Sequence, residues 1–271
     1  MESFFFFPSL VSMSSEKKRL PFAFKAFGMH LAASCAVALA VAWLVFSVWV
    51  PAPYQGLVQA PQLFIVLLLV DVVCGPLLTA VLANPAKPRK ELRLDFALVV
   101  LIQLGALAYG LHTIAGARPV ALVFEADRFA VVSASQVNPQ ELAQAPAEAQ
   151  KLPWNGPRLM GTRAAHNPDE KLQSIELSLQ GIEPSARPGW WQSYEISRPQ
   201  AVARMQPLQA LHQRAPAAQR QLVEAELHKL QRTMAQTFYL PLVSSHQLDS
   251  WIVLLDAQAN IVGHVAVDGF Q

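Results

Sequence analysis

Three apolar runs crowd the first 115 residues, at 27–50, 61–83 and 94–115, and nothing else in the chain constrains its fold so strongly. Each is close to the roughly 20 residues an α-helix needs to cross ~30 Å of hydrocarbon. Buried core helices are also apolar, but three such runs in succession are not expected in a soluble protein. Within the first two, Asp71 is the only Asp, Glu, Lys or Arg. The runs also account for a hydrophobic content of 53% and a mean hydropathy of +0.28, both high for a wholly soluble chain of 271 residues. The expected class is therefore a three-span α-helical membrane region, residues 27–115, followed by a soluble domain from residue 116 to the end.

Basic residues set the orientation, because Lys and Arg beside a span resist translocation. Lys17, Lys18, Arg19 and Lys25 precede the first run; Lys87, Arg89, Lys90 and Arg93 lie between the second and third. Both segments are expected in the cytosol, including the amino-terminal segment 1–26. The connection at 51–60 carries no charge and has Trp43, Trp49 and Tyr54 near it, as an outward-facing loop with an interfacial aromatic belt would. After a third crossing, residues 116–271 fall outside. The first run is too long for a cleaved signal peptide and is followed by more spans, so it reads as an uncleaved anchor. The Phe-rich start, residues 1–15, precedes the basic cluster, which leaves Met1 or Met13 as the initiator.

The segment from 116 onward balances 13 Lys and Arg against 14 Asp and Glu. Without a basic face it is not built for nucleic acid or for an anionic lipid surface. It also lacks cysteine, so its own core must hold it. Cys35 and Cys74, in the first and second runs, read as small packing residues.

Along this segment, residues 120–125 and 129–133 read as two strands around Asp127-Arg128, a turn with a salt bridge. Residues 138–157 are loop with a short helical piece near 139–144. Asn167-Pro168-Asp169-Glu170 is a helix-start signal, followed by Leu172, Ile175, Leu179 and Ile182 at helical spacing. Residues 184–199 are too rich in Pro and Gly for helix or strand. Helices are expected over 200–213 and 217–236, the latter with Val223, Leu227, Leu230 and Met234 on its packing face, and a hairpin over 251–255 and 261–267. The domain is thus α+β, a small sheet with two or three helices.

Asp71 stands out, about ten residues into the second run. A carboxylate facing lipid at mid-bilayer costs roughly 2.5–3.5 kcal/mol on insertion scales, so it should face the bundle interior. Gly75-Pro76 follows, and Pro76 lacks the amide hydrogen of a regular helix, so a bend is expected. Asp71, Gly75 and Pro76 read together as a polar, locally opened spot, with Gln103 in the third run and His30 in the first as its polar neighbours. Three roles follow for it: a hydrogen bond tying spans together, the contact for a partner's transmembrane helix, or proton or ion traffic. Catalytic motifs are missing: no H-E-x-x-H, C-x-x-C, G-x-S-x-G, Walker A or G-x-G-x-x-G occurs. No catalytic residue, metal ligand or cofactor is assigned.

Several stretches together resemble one family, the type IV pilin accessory proteins of the TfpX/TfpZ type. They are Phe24-Lys25-Ala26-Phe27-Gly28-Met29-His30-Leu31, Pro51-Ala52-Pro53-Tyr54, Val70-Asp71-Val72-Val73-Cys74-Gly75-Pro76-Leu77-Leu78-Thr79, Gln103 to Tyr109-Gly110, Ala117-Arg118-Pro119-Val120, and Val123 to Asp127-Arg128-Phe129. Looser similarity continues to Asp256. The resemblance implies a non-enzymatic protein of a bacterial inner membrane, with its C-terminal domain in the periplasm, that helps a cognate pilin assemble into a type IV pilus. The bundle would hold the pilin's apolar helix in the bilayer and the domain its globular head. Asp71, Gly75, Pro76, Gln103, Asp127 and Arg128 are the candidate contacts for that partner. Ala32, Ala33, Ala36, Ala38 and Ala40 suit the first span to close helix approach. Competing readings are a membrane enzyme that modifies pilin, with Asp71 or Asp127 as acid or base, and a transporter subunit.

Overall fold

A computed structural model describes residues 10–270, with side chains from residue 19 onward. The Phe-rich start at 1–9 lies outside the described residues. The chain divides into two compact units, one of residues up to 44 together with 61–114, the other of 45–60 together with 115 onward.

Among the described residues three helices, the greater part of each in the first unit, are long and apolar enough to cross a membrane: Arg19–Trp49, Ala60–Leu82 and Arg89–Ala117. The first is α1 (Leu10–Trp43), which widens into a π-helical turn at Leu44–Trp49 before Pro51. The second is α2 (Ala60–Leu68), a π-helical segment (Leu69–Cys74) and α3 (Gly75–Leu82). The third is α4 (Arg89–Ala117). α1 packs along α3 and the π segment. Large apolar side chains such as Leu39, Val66, Val81 and Leu101 are exposed, which is costly in water and ordinary in lipid. Cys35 and Cys74, expected from the sequence as small packing residues, are exposed as well.

The second unit is built on an eight-stranded mixed sheet, ordered β4-β3-β1-β2-β6-β7-β8 with β5 also paired to β6. Its strands are β1 (Pro119–Glu125), β2 (Arg128–Ser133), β3 (Arg158–Thr162), β4 (Trp191–Ser193), β5 (Gln206–Pro207), β6 (Phe238–Ser244), β7 (Trp251–Leu255) and β8 (Ile261–Val265). β1 runs parallel to β3 and β2 parallel to β6; the other pairs are antiparallel. Every residue of β1 is buried, as expected of a central strand covered on both faces. One core cluster gathers Val120, Ala121 and Val123 of β1 with Val132, Met160 and Trp191, and a second joins Leu208, Leu211, Val223, Tyr239, Ile252 and Leu254.

The two strands around Asp127-Arg128, the short 3₁₀ turn at Pro139–Gln144, the helix after Asn167 and the final hairpin form where the sequence places them. Helix α5 (Pro168–Leu179) is capped by the Asn167 side chain, which accepts from the Glu170 amide at 2.8 Å. Its stripe, however, faces outward: Leu172, Ile175, Leu179 and Ile182 are all exposed. Periodicity specifies a helix without specifying what covers it.

Elsewhere the structure corrects the expectation. Residues 184–199 are not devoid of regular structure; they hold two 3₁₀ turns, β4 and the start of α6 (Tyr194–Arg204). The single helix expected over 200–213 is split into the end of α6, β5 and α7 (Leu208–Arg214). The helix expected over 217–236 stops as α8 (Ala217–Leu230), because Gln231 takes a left-handed conformation, and resumes only as a 3₁₀ turn. Strands β3 and β6 lie where none was assigned, so the sheet is larger than the small one expected. No ion pair joins Asp127 to Arg128 among the described residues; Asp127 is exposed, and its amide donates to the Glu125 carbonyl at 2.7 Å in a turn with Ala126 at φ 57°.

Residues 45–60 pack within the second unit. Leu57, Val50 and Ala60 are fully buried there. The Ser244 hydroxyl donates to the Leu57 carbonyl at 2.6 Å, and the Trp49 and Trp154 rings meet tilted by 42° at 5.8 Å between ring centres. Tyr54 meets His264 edge-on, also at 5.8 Å. Gly56 lies flat against Trp251, where a Cβ would come within 2.8 Å of the indole.

Candidate functional site

The polar spot in the second membrane helix begins with a backbone fault. In a regular α-helix the carbonyl of Asp71 would accept from the amide of Gly75. Here the Gly75 amide reaches one residue further back, to Val70, which is the π-helical pattern. The next amide that could serve Asp71 in that pattern belongs to residue 76, and proline has none. The Asp71 carbonyl is therefore left over inside the helix. Gln103 of α4 satisfies it, its carboxamide nitrogen donating to the Asp71 oxygen at 3.0 Å. Gly75 makes this possible, since a Cβ there would overlap the Gln103 carboxamide.

Asp71 itself is 7% exposed, so its side chain faces inward as the sequence predicts. From the π-helical segment onward, Asp71, Gly75, Pro76 and Thr79 form the buried face of the second helix. The buried Oδ1 of Asp71 has no hydrogen-bond partner among the described residues. The tie between helices is thus made by the Asp71 backbone and not by its carboxyl group. His30, the other expected neighbour, bonds elsewhere: its Nδ1 lies 2.5 Å from the Thr79 hydroxyl. A cleft of about 210 Å³ adjoins the site, lined by His30, Ala33, Asp71, Val100 and Gln103 among others.

The remaining candidates, Asp127 and Arg128, belong to the other unit and sit on an exposed and a partly exposed position of the β1–β2 turn. The same unit has three polar residues that sequence reasoning passed over. Arg118, just after α4, donates to the carbonyls of Pro153 and Ala115 and covers the Trp154 ring at 3.9 Å, and its burial lowers its pKa. Glu125, buried at the end of β1, has its pKa raised by burial and accepts from the Ser185 amide at 3.3 Å. His264 is pushed down by burial to about 4, and its Nε2 has no partner among the described residues. Arg118 and Glu125 had a signal in the sequence, as members of the family-resembling strings after the third run; His264 becomes notable only through the burial that tertiary packing gives it.

The fold and this site define a membrane-associated protein with three candidate spanning helices and a C-terminal α+β domain. Comparison with known proteins gives its kinship. A model of the family described as fimbrial assembly protein FimB matches residues 18–59. The chain is 39% identical over 255 residues to the fimbrial assembly protein of serogroup E1 of Dichelobacter nodosus, covering 94% of this chain and 99% of the relative. It is 38% identical, over the same shares, to the serogroup I protein of that organism. It is also 46% identical to the protein of serogroups C1 and C2 over 129 residues, 48% of this chain and 98% of the relative. The chain belongs to the fimbrial assembly protein family. No solved structure matches it.

Proposed function

We propose that this protein is an assembly factor of a type IV pilus, of the TfpX/TfpZ kind, that holds its cognate pilin before the pilin enters the fibre. The observation that carries this reading is the kinship with fimbrial assembly proteins along almost the whole chain, membrane helices and C-terminal domain alike. The architecture supports it, because a pilin awaiting assembly has an apolar helix in the bilayer and a head outside it, and both need temporary neighbours. Helices with an open, mostly apolar cleft that holds a few polar groups suit the first, and an α+β domain the second. In this reading the protein sits in the bacterial inner membrane with its amino terminus in the cytosol and its C-terminal domain in the periplasm, as the eight basic residues beside the spans favour. Asp71, Gly75, Pro76 and Gln103 form the contact for the pilin helix, and Asp127 and Arg128 offer an exposed contact for its head. The action is holding and release, with no chemical step, and so calls for modest affinity.

Deletion of the gene tests the role. Sheared pili should fall to near absence while pilin remains in the membrane, and pilin should co-purify with the full-length protein from mild detergent. Unchanged piliation in the deletion strain would overturn the proposal. Pilin bearing an altered covalent modification in that strain would favour an enzyme instead.

A further inference from the structure

We infer that the space between the first and third membrane helices is a receptor groove for one membrane-spanning helix, and that this helix donates a hydrogen bond to Asp71. The inference rests on the assembly reading for the identity of that helix, which is the pilin's.

Two clefts form the groove. The one beside Asp71 shares His30, Ala33 and Val100 with a larger cleft of about 550 Å³ that continues along α1 to Phe22 and Lys25 and along α4 to Phe96. α1 and α4 supply the walls, and Asp71 and Thr79 of the second helix the floor. On α1 the lining runs from Phe22 to Val37, about 22 Å at ~1.5 Å per residue; the part within the first apolar run, from residue 27 to Val37, spans about 15 Å, half of the ~30 Å depth of a hydrocarbon core. Met29 and Ala33 on that wall are exposed, so the groove is open along its length. Ala26 and Ala33, seven residues apart, let a second helix backbone come close.

The floor selects the occupant. The Asp71 side chain is more than nine-tenths buried and lines the cleft, with its buried Oδ1 unpartnered among the described residues. A lipid acyl chain would fill the apolar part and leave that oxygen unsatisfied in hydrocarbon, at a cost. A helix with small residues and a donor at the depth of Asp71 fills the groove and bonds the carboxyl once the side chain turns its buried Oδ1 toward the cleft. No side chain among the described residues donates to that oxygen, since Gln103 bonds the Asp71 backbone and the His30 Nδ1 pairs with Thr79, so the donor comes from the partner.

Photocrosslinking in intact cells that make the pilin tests this. A benzophenone amino acid at Ala33, in the groove, should give a pilin adduct; the same group at Val66, in the separate cleft between the second and third helices, should give at most about a fifth as much. Asp71→Asn keeps an accepting oxygen and should hold the Ala33 adduct within about twofold, whereas Asp71→Leu should reduce it about fivefold or more. Because Asp71→Leu could also lower protein abundance, Ala26→Phe provides a second test: it obstructs the groove with Asp71 intact and should lower the adduct at normal abundance on an immunoblot. Lipid adducts alone at Ala33, or equal pilin adducts from both positions, would overturn the groove. If pilin co-purifies without an Ala33 adduct, the groove fails and the assembly reading stands; if pilin neither co-purifies nor crosslinks, and piliation does not need the protein, both fail.

Discussion

Pro76 matters through the amide it lacks. Its absence leaves the Asp71 carbonyl to Gln103, and Gly75 clears the path between them. Restoring an amide at position 76 should therefore relieve the need for Gln103. Gln103→Ala alone should destabilise the full-length protein in detergent by about 1 kcal/mol, since intramembrane hydrogen bonds average ~0.6 and reach ~1.7 kcal/mol. Combined with Pro76→Ala, it should cost measurably less than the sum of the two single changes, read as a double-mutant cycle on thermal unfolding. Strict additivity would show that the two residues do not share the Asp71 carbonyl. Asp71, Gly75, Pro76 and Gln103 are all legible in the sequence, because charge, glycine and proline are rare enough in an apolar run to mark themselves. The division of labour is not: whether carbonyl or carboxyl makes the tie depends on the helix changing from α to π, and residue types alone do not state that change.

At the scale of elements, the spans and the hairpins are the legible part. Length and hydropathy suffice for the former and turn chemistry for the latter. Strand β6 is harder to read because Pro241 interrupts its β pattern. The structure accommodates that proline where the sheet has a local gap: β5 pairs only to Phe238 and Tyr239, and β2 only from Leu242 onward. Helix α6 escapes notice for a related reason, as Pro199 lies within it. The spans also carry the orientation. An alkaline phosphatase fused after Gln271 should be active and one after Arg89 inactive, because the basic residues flank the first span and the connection between the second and third. The opposite pattern of activity would place the C-terminal domain in the cytosol and remove the periplasmic assignment.

For the whole molecule, the packing of residues 45–60 in the C-terminal unit has a measurable pH signature. His264 lies beside Tyr54, and burial holds its pKa down to about 4 from an ordinary 6.5. A depressed histidine favours the neutral form in the folded state, so the unfolded chain binds more protons between those two values. Stability should be level above about pH 6.5, fall as pH drops toward 4, and lose at most about 3 kcal/mol across that window. His264→Phe should flatten this slope when unfolding of the full-length protein is followed by tryptophan fluorescence; an unchanged slope would assign it to other groups. The same packing sets an order in time. The C-terminal unit is discontinuous in the chain, with residues 61–114 made between its two parts. A ribosome delivers its first piece early and the remainder only after two further spans have been synthesised, so residues 45–60 must wait, unfolded and unpartnered, for the strands that will bury Leu57. Completion of this domain is therefore a late event that certifies the earlier ones: a chain whose residues 45–60 and 115 onward were left on opposite sides of a membrane would have no means of completing it.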